Sequence, residues 1–289
     1  MSASTNWSSA ACSNGASARY GLRQRALPCR RGSLGCGTEP LGIETSVRLG
    51  VIADIHGNLL ALEAVLARLD DLSVDRLINL GDCASGPLWP AEAVALLRSR
   101  EITHVRGNHD RALGAASALG LGESDGYAWQ ALDPEARAWL AGLPVEITVE
   151  GALCFHASPG DDETYLMEEE HDGHLMPSPI ATIEQRLAGR SAPLMLCGHS
   201  HLPRAARLSS GAIVLNPGSV GNPAYRDTNP AHVSESGMPH ARFAVVTLGA
   251  EIAIEHHLAV YDWEHAARRA EQNGRADWAH ALRTGRVLP

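Results

Sequence analysis

Residues 48–58 have the sequence RLGVIADIHGN, in which a short apolar run ends at Asp54 and His56. An apolar run of this length that stops at polar residues and a glycine is typical of a buried strand leading into a loop. The amphipathic stretch at 58–70 predicts a helix directly behind this strand. The order strand, polar loop, helix is the first half of a βαβ unit.

The same arrangement is repeated further along the chain. DRLINL (75–80) and ITHVRG (102–107) are predicted strands, and the amphipathic stretch at 90–100 lies between them. Successive βαβ units build parallel strands that are covered by helices. The sequence therefore predicts an α/β fold.

The second half of the chain contains more hairpin patterns than crossover patterns. APLMLCGH (192–199) predicts a buried strand, and alternating residues predict hairpins around Glu150-Gly151, around Ser209-Ser210-Gly211, and between 242–248 and 252–258. Helices are predicted from Asp133 to about Leu140 and from Asp262 to about Arg283, with a break at Asn273-Gly274. Together these patterns predict a layered sandwich of mixed β-sheets flanked by helices.

Residue types that bind metal ions follow the downstream end of almost every predicted strand. They are Asp54, His56, Asp82, Asn108, His156, His199 and His201. In an open α/β sheet, the loops beyond the carboxyl ends of the strands form one rim. We therefore expect a metal site at the carboxyl ends of the strands.

The donor types indicate which ions this site prefers. Two Asp, four His and one Asn combine hard oxygen donors with imidazole, which suits Mn²⁺, Fe, Zn²⁺ or Ni²⁺ better than Mg²⁺ alone. With one shared carboxylate, the seven residues can hold two divalent ions and leave positions open for water and phosphate oxygens. Two such ions can activate a water and stabilise both oxygens of a phosphate-ester displacement.

Five sequence blocks carry a family resemblance, and they are ADIHGN (53–58), GDCASGP (81–87), RGNHD (106–110), FHASP (155–159) and GHSH (198–201). Over residues 49–221 their order resembles the signature of the calcineurin-like metallophosphoesterases. The chain looks most like the compact prokaryotic phosphodiesterase branch, including the turn sequence NPGSVG (216–221).

The resemblance implies a role for each donor. It implies one ion on Asp54, His56, Asp82 and His201, and a second ion on Asp82, Asn108, His156 and His199, so that Asp82 bridges them. His109 matches the histidine that faces the leaving group and donates a proton. Arg111, Gly218 and Ser219 lie beside these blocks and are candidates for substrate binding.

One position departs from the phosphoprotein phosphatases. In those enzymes a second Asp follows the bridging Asp by three residues and orients the catalytic histidine, whereas this chain has Ser85. We therefore expect His109 to lack a carboxylate partner. The departure argues against a protein phosphatase and favours the small phosphodiesterases.

The implied activity is metal-dependent hydrolysis of a phosphoester by a hydroxide that bridges the two ions. A phosphodiesterase on a small substrate is favoured, and a phosphomonoesterase or a dinucleoside polyphosphate hydrolase is the alternative. A non-catalytic scaffold of the same fold is a further alternative. Scaffolds usually lose ligands or the catalytic histidine, and this chain has them all.

Composition excludes other classes of function. The chain has no Lys, so it lacks the lysine that a Walker phosphate loop requires. Its net charge of −9 argues against binding long nucleic acids, and no apolar run is long enough to span a membrane. Six Cys without a CxxC pair predict reduced thiols and a cytoplasmic location. A homo-oligomer remains open.

Two further segments have their own predictions. Residues 1–46 are rich in Ser, Ala, Gly and Arg without apolar periodicity, which predicts a disordered segment or a mis-assigned start near Val47. The metallophosphoesterase domain is then predicted to span 47–289. The acidic run at 161–174 is predicted to be a solvated loop, with a lid over the cleft as the alternative.

Overall fold

The computed structural model of the protein describes residues 46–289. Its strands are β1 (Val47–Ile52), β2 (Arg76–Asn79), β3 (Ile102–His104), β4 (Glu146–Val149), β5 (Ala152–Phe155), β6 (Glu168–His171), β7 (His174–Pro177), β8 (Leu194–Leu196), β9 (Arg204–Arg207), β10 (Ile213–Asn216), β11 (Ala224–Thr228), β12 (Ala231–Glu235), β13 (Ala241–Leu248) and β14 (Ile252–Ala259). Its helices are α1 (Leu59–Asp71), α2 (Pro90–Ser99), α3 (Asn108–Leu113), α4 (Glu123–Ala131), α5 (Pro134–Ala141), α6 (Ile180–Arg186), α7 (Trp263–Gln272) and α8 (Ala276–Thr284). The predictions for residues 1–46 concern a segment that, apart from Ser46, lies outside the described residues.

The first sheet has the strand order β14-β13-β1-β2-β3. Strands β1, β2 and β3 are parallel, as the two predicted βαβ units require, whereas β13 and β14 join the β1 edge as an antiparallel hairpin. Side chains alternate between the faces of β1, because Leu49 and Val51 point to one apolar cluster while Ile52 belongs to another. Both faces of this sheet are therefore covered.

The second sheet has the order β4-β5-β8-β10-β9. Strands β5, β8 and β10 are parallel, and antiparallel β4 and β9 form the two edges. The hairpin between β4 and β5 turns at Glu150-Gly151, as predicted, with φ angles of 50° and 81°. The parallel strands in both sheets place their carboxyl ends where ligand sites are commonly built.

The two sheets pack face to face and carry helices on their outer faces. The cluster between the sheets contains Leu49, Val51, Leu80, Cys154, Leu196, Leu215 and Val246. The outer face of the first sheet packs on α1, α2, α7 and α8, and the outer face of the second sheet packs on α6. The predicted layered sandwich of mixed sheets flanked by helices is confirmed.

A third sheet differs from the prediction. It has the order β11-β12-β7-β6, and strands β6 and β7 form an antiparallel hairpin. The acidic run at 161–174 was predicted to be a loop, which is wrong for residues 168–171 and 174. Glu168 of β6 is buried, and the guanidinium of Arg204, 2.9 Å from its carboxylate, compensates the buried charge.

The carboxyl-terminal helices flank the site-bearing edge of the structure. Asp262 is the N-cap of helix α7, and its side chain accepts a hydrogen bond from the backbone N–H of His265. Asn273 is the C-cap, at the predicted break. Helix α4 was not predicted from the sequence. Among the described residues, no helix has the length and apolar character needed to cross a membrane.

Candidate metal centre and active-site cleft

The predicted donors come together at the carboxyl ends of the parallel strands. The loop after β1 carries Asp54 and His56, and the loop after β8 carries His199 and His201. Asp54, His56 and His201 form one group of donor atoms that all lie within 4.8 Å of one another, and Asp82, His156 and His199 form a second. Asn108 lies beside the second group, with Oδ1 3.1 Å from Nε2 of His156.

Each donor histidine is held by a hydrogen bond to a backbone carbonyl. Nδ1 of His56 donates to the carbonyl oxygen of Ser85 at 2.8 Å. Nδ1 of His156 donates to that of Leu80, and Nδ1 of His201 to that of Asn222, both at 2.7 Å. In His199 it is Nε2 that donates, to Glu163 O at 2.8 Å. Because a carbonyl oxygen only accepts, these nitrogens carry the hydrogen. When such a ring is neutral, its other nitrogen presents a lone pair, which is the arrangement that metal-binding histidines adopt.

The lone pairs of His56 and His201 face each other rather than a hydrogen-bond donor. Nε2 of His56 lies 3.1 Å from Nε2 of His201, although both rings have already used their hydrogen elsewhere. Nε2 of His156 lies 3.1 Å from Asn108 Oδ1 and 3.3 Å from Asp82 Oδ2. Two nitrogen lone pairs at 3.1 Å repel unless a cation lies between them. The donor set therefore fits two metal ions, one at each group.

The charges of the site lead to the same conclusion. Burial lowers the pKa of His56 to about 4 and that of His199 to about 3, so both rings are neutral and able to bind a metal. Burial also raises the pKa of Asp54 well above its usual range. Burial would lower the pKa of His156 as well, but the Asp82 carboxylate raises it to about 10, so a proton occupies a position suited to a cation. A proton on His156 thus balances the Asp82 carboxylate at a place where a metal ion could do so.

Five donor residues have a left-handed backbone, which residues other than glycine rarely adopt. The φ angles are 56° for Asp54, 49° for His56, 56° for Asp82, 70° for His199 and 63° for His201. Such conformations cost about 1–3 kcal/mol each and persist where surrounding contacts hold them. The fold therefore keeps local strain at the positions that turn these side chains into the site.

His109 lies next to the metal groups and has a carboxylate partner. Its Nδ1 lies 2.8 Å from Oδ1 of Asp125, a largely buried residue of α4. The expectation that His109 lacks such a partner, drawn from Ser85, is therefore wrong, because the carboxylate comes from a different element. Burial would lower the pKa of His109, but Asp82 and Asp125 raise it to about 9. His109 is thus held in its protonated form.

The site opens into a cleft with a volume of about 450 Å³. One side of the cleft is formed by His56, Asp82, Asn108, His109, His199 and His201. The lining that carries no metal donor includes Ser124, Tyr225, Arg226, Arg275, Trp278 and Leu288. The ring of Trp278 packs on His56 at 6.1 Å, and that of Tyr225 packs on His201 at 4.6 Å, between centroids. The cleft therefore offers room for a small organic group beside the candidate metal centre.

The sequence profile of the calcineurin-like phosphoesterase superfamily domain matches residues 47–235. The chain belongs to this superfamily. The matched range contains all seven donors and His109. The family uses divalent metal ions and acts on phosphoesters, which suggests hydrolase activity for this chain.

Individual relatives support the fold of this phosphoesterase. The chain is 28% identical over 198 residues to the uncharacterized protein MJ0912 of Methanocaldococcus jannaschii, a match that covers 61% of this chain and 76% of that protein. The metallophosphoesterase from Sphaerobacter thermophilus is similar with a TM-score of 0.65 and 26% identity, covering 82% of this chain and 98% of that one. The hypothetical protein PH1004 from Pyrococcus horikoshii OT3 is similar with a TM-score of 0.66 and 20% identity, and the match covers 84% of this chain and 100% of that one. At that identity the likeness concerns the fold alone.

Sequence reasoning missed Asp110, which fastens two loops of the phosphoesterase site. Its buried carboxylate accepts hydrogen bonds from the backbone N–H groups of Asp82 and Cys83, each at 2.9 Å, and of Gly107 at 3.0 Å. The signal in the sequence is an acidic residue in the first turn of α3, where it can accept from the N-cap backbone. Asp110 thereby connects the loop that carries Asp82 to the loop at Gly107, which leads into α3 and Asn108.

Gly107 is required by the close approach of these same loops. A Cβ atom at this position would lie 2.1 Å from Asp82 Oδ1. Gly107→Ala is therefore expected to displace Asp82 and weaken Mn²⁺ binding by about 10–100-fold, measured by metal titration of chelator-treated protein. Gly249→Ala, where no neighbour lies closer than 3.8 Å to the added Cβ, is the control. An unchanged Mn²⁺ affinity in Gly107→Ala would show that Asp82 can move without loss.

The structure gives the predicted substrate-binding residues other contacts. Arg111 forms ion pairs with Asp162 at 2.8 Å and Glu163 at 2.7 Å, and it lines a separate depression. Oγ of Ser219 donates to the carbonyl oxygen of Asp54 at 2.8 Å, and the neighbouring Gly218 has a φ of 81°. These three residues lie around the site rather than among the residues that line the main cleft.

Proposed function

We propose that this phosphoesterase is a phosphodiesterase that hydrolyses small substrates with two divalent cations. The observation that carries the proposal is the arrangement of four histidines, each with one nitrogen bound to a backbone carbonyl and each part of one of the two donor groups. His56 and His201 oppose each other at 3.1 Å. Two cations relieve these contacts, and when bound they supply Lewis-acid activation of a water and of the phosphate ester.

The residues divide into two ligand sets with one shared carboxylate. Asp54, His56, Asp82 and His201 would hold the first ion, and Asp82, Asn108, His156 and His199 would hold the second. Asp82 suits the shared position because its Oδ2 lies 3.8 Å from His56 Nε2 and 3.3 Å from His156 Nε2. His109 is outside both sets and would give a proton to the leaving oxygen.

The metal is proposed to be Mn²⁺, with Fe, Zn²⁺ or Ni²⁺ as the other candidates for a mixed imidazole and carboxylate site. A diester is preferred over a monoester or a dinucleoside polyphosphate because the far side of the cleft offers surface for an organic group. A scaffold role is opposed by the complete donor set and by His109, which is kept protonated beside Asp125.

The experiment is metal removal with a diester substrate. Treatment with EDTA followed by dialysis should abolish release of p-nitrophenolate from bis(p-nitrophenyl) phosphate, and Mn²⁺ should restore it better than Mg²⁺. Metal analysis of the restored protein should give two ions per chain. Full activity without metal would contradict the proposal, and faster hydrolysis of p-nitrophenyl phosphate would favour the monoesterase.

A matched pair of variants makes this experiment specific. His156→Ala should lose metal and activity, because its ring is fully buried against Asp82. His171→Ala is the control, since the side chain of His171 is 70% exposed and lies on β6 away from the donors. Equal metal content in the two variants would show that the histidine donors do not hold the ions.

A further inference from the structure

The cleft is lined by more than the candidate metal centre, and the lining without metal donors is called its far side. Its far side is built by α4, β11, α8 and the segment after α8, none of which supplies a donor. Helix α8 and that segment also lie outside the range 47–235 that matches the family. A phosphate group would leave most of the 450 Å³ unfilled, so this side is available to the organic part of a substrate.

The charges on the far side cancel. Two arginines, Arg226 and Arg275, equal in number the two carboxylates, Asp227 and Asp277, and Arg226 donates to the carbonyl oxygen of Leu288 at 3.1 Å. Arg275 binds both oxygens of Asp277, at 2.9 and 2.7 Å, and its third nitrogen donates to Oγ of Ser124 at 2.8 Å. A guanidinium that is already paired in this bidentate way has little charge left for a second phosphate. The far side therefore suits a neutral group better than a polyphosphate.

An apolar surface lies beside these polar groups. Trp278 and Ala281 of α8 face the cleft, and Ala224 of β11 and the tail residues Val287 and Leu288 also line it. The side chains of Trp278 and Ala281 are largely covered by neighbouring residues, whereas Leu288 is 46% exposed. A ligand that covers this surface needs an apolar face of its own.

A hydrogen-bond chain runs from the cleft to a buried histidine. Oη of Tyr225 lies 2.7 Å from Oη of Tyr165, which lies 2.9 Å from Nε2 of His232. His232 is 3% exposed, and its Nδ1 lies 2.7 Å from the carbonyl oxygen of Pro230. Because the carbonyl only accepts, Nδ1 carries the hydrogen and Nε2 of the neutral ring is an acceptor.

This tautomer decides which group is the donor in each of these hydrogen bonds. Tyr165 donates to His232, since the buried Nε2 would otherwise have no hydrogen-bond partner. The only hydroxyl hydrogen of Tyr165 is then used, so Tyr225 donates to Tyr165. The competing contact from Tyr225 to the carbonyl of His199 is longer, at 3.4 Å. Tyr225 therefore offers the cleft lone pairs and no hydrogen.

We propose that the far side of the cleft is a subsite for a neutral, hydroxyl-bearing organic group with an apolar face, which is the chemistry of a nucleoside. The hydroxyl of the ligand donates to Tyr225 Oη, and its apolar face covers the surface formed by Ala281, Trp278 and Leu288. The inference rests on the proposed phosphodiesterase function and narrows its substrate class to nucleoside phosphodiesters.

The test uses three diesters that share p-nitrophenolate as the leaving group. They are thymidine 5′-(p-nitrophenyl phosphate), its 3′-deoxythymidine analogue and methyl p-nitrophenyl phosphate, assayed with the Mn²⁺-loaded full chain. The thymidine ester should have a KM about tenfold lower than the methyl ester, and the 3′-deoxy analogue should lie between them. Equal KM values for all three would overturn the subsite. No release from any of them would instead contradict the phosphodiesterase function itself.

Two variants assign the selectivity to the subsite. Tyr225→Phe removes the acceptor and keeps the ring, so it should erase the difference between thymidine and 3′-deoxythymidine esters. Ala281→Leu fills the apolar surface and should erase most of the difference between the thymidine and methyl esters. Ala95→Leu, on the exposed face of α2, is the control and should keep both differences.

The variants also remain decisive if one is unstable. A melting-temperature measurement shows whether Ala281→Leu is folded, and Tyr225→Phe, which keeps the ring, decides the result if it is not. A Tyr225→Phe protein that discriminates between the thymidine and 3′-deoxythymidine esters as wild type does would overturn the role of Tyr225. An equal rate loss on all three diesters would also overturn it, because the hydroxyl would then act on the metal centre.

Discussion

Asp82→Asn is expected to lower kcat by at least about 10³-fold, since several kcal/mol of charge stabilisation are lost with the metal ions. Asp82 is 1% exposed and lies between the two donor groups, 3.8 Å from His56 and 3.3 Å from His156. An amide at this position removes the negative charge that both cations share. It also places an NH₂ group against at least one of them, so the affinity for both ions should fall together.

Metal content is the measurement that separates Asp82 from the other carboxylate. Asp82→Asn should lose both ions, whereas Asp54→Asn should lose mainly the ion held with His56 and His201, because Asp54 belongs to that group alone. Asp172→Asn is the matched control, since the side chain of Asp172 is 91% exposed. Two ions per chain and a near-normal rate in Asp82→Asn would show that Asp82 is not shared.

The position of the donors was predictable because it depends on strand direction alone. Apolar runs such as VIA before Asp54 identify the buried strands, and parallel strands bring their carboxyl ends to one edge. The structure accordingly brings together Asp54, His56 and His201, which are up to 147 positions apart in sequence. Local patterning was sufficient here because each donor directly follows its strand.

The partner of His109 was not predictable by the same reasoning. Asp125 lies 16 residues further on in α4, a helix with only Asp125 and Ala128 buried. With so few buried apolar positions, the sequence of α4 has no clear helical periodicity to detect. The contact depends on how α4 packs over α3, which is a tertiary property.

The third sheet was missed because its composition opposes strand formation. The segment EEEH of β6 is acidic, and acidic residues are rare in strands. Burial of Glu168 is compensated in part by its ion pair with Arg204, which comes from a distant strand of the second sheet. The far wall of the cleft was missed for a related reason, since it assembles from elements that carry no metal-ligand motif.

His109→Ala is expected to slow the reaction by about 10²–10⁴-fold on esters with poor leaving groups, the usual effect of losing a general acid. An alkoxide or nucleoside oxygen needs a proton as it leaves, whereas p-nitrophenolate leaves readily without one. The loss should therefore be distinctly smaller on p-nitrophenyl esters, and both metals should remain bound. Equal losses on the two substrate types would mean that His109 stabilises phosphate charge. A loss of bound metal in His109→Ala would identify His109 as a metal ligand.

Asp125 should affect the reaction only through His109. Its carboxylate holds Nδ1 of His109 at 2.8 Å, so the opposite nitrogen points away from Asp125 towards a leaving group in the cleft. Asp125→Asn should therefore reduce kcat by up to about 10²-fold on alkyl esters, and it should cause no further loss in a His109→Ala background. Glu123→Gln on the same helix is the control, because the side chain of Glu123 is 84% exposed. Additive losses in the double variant would show that Asp125 supports the site by a route other than orienting this imidazole.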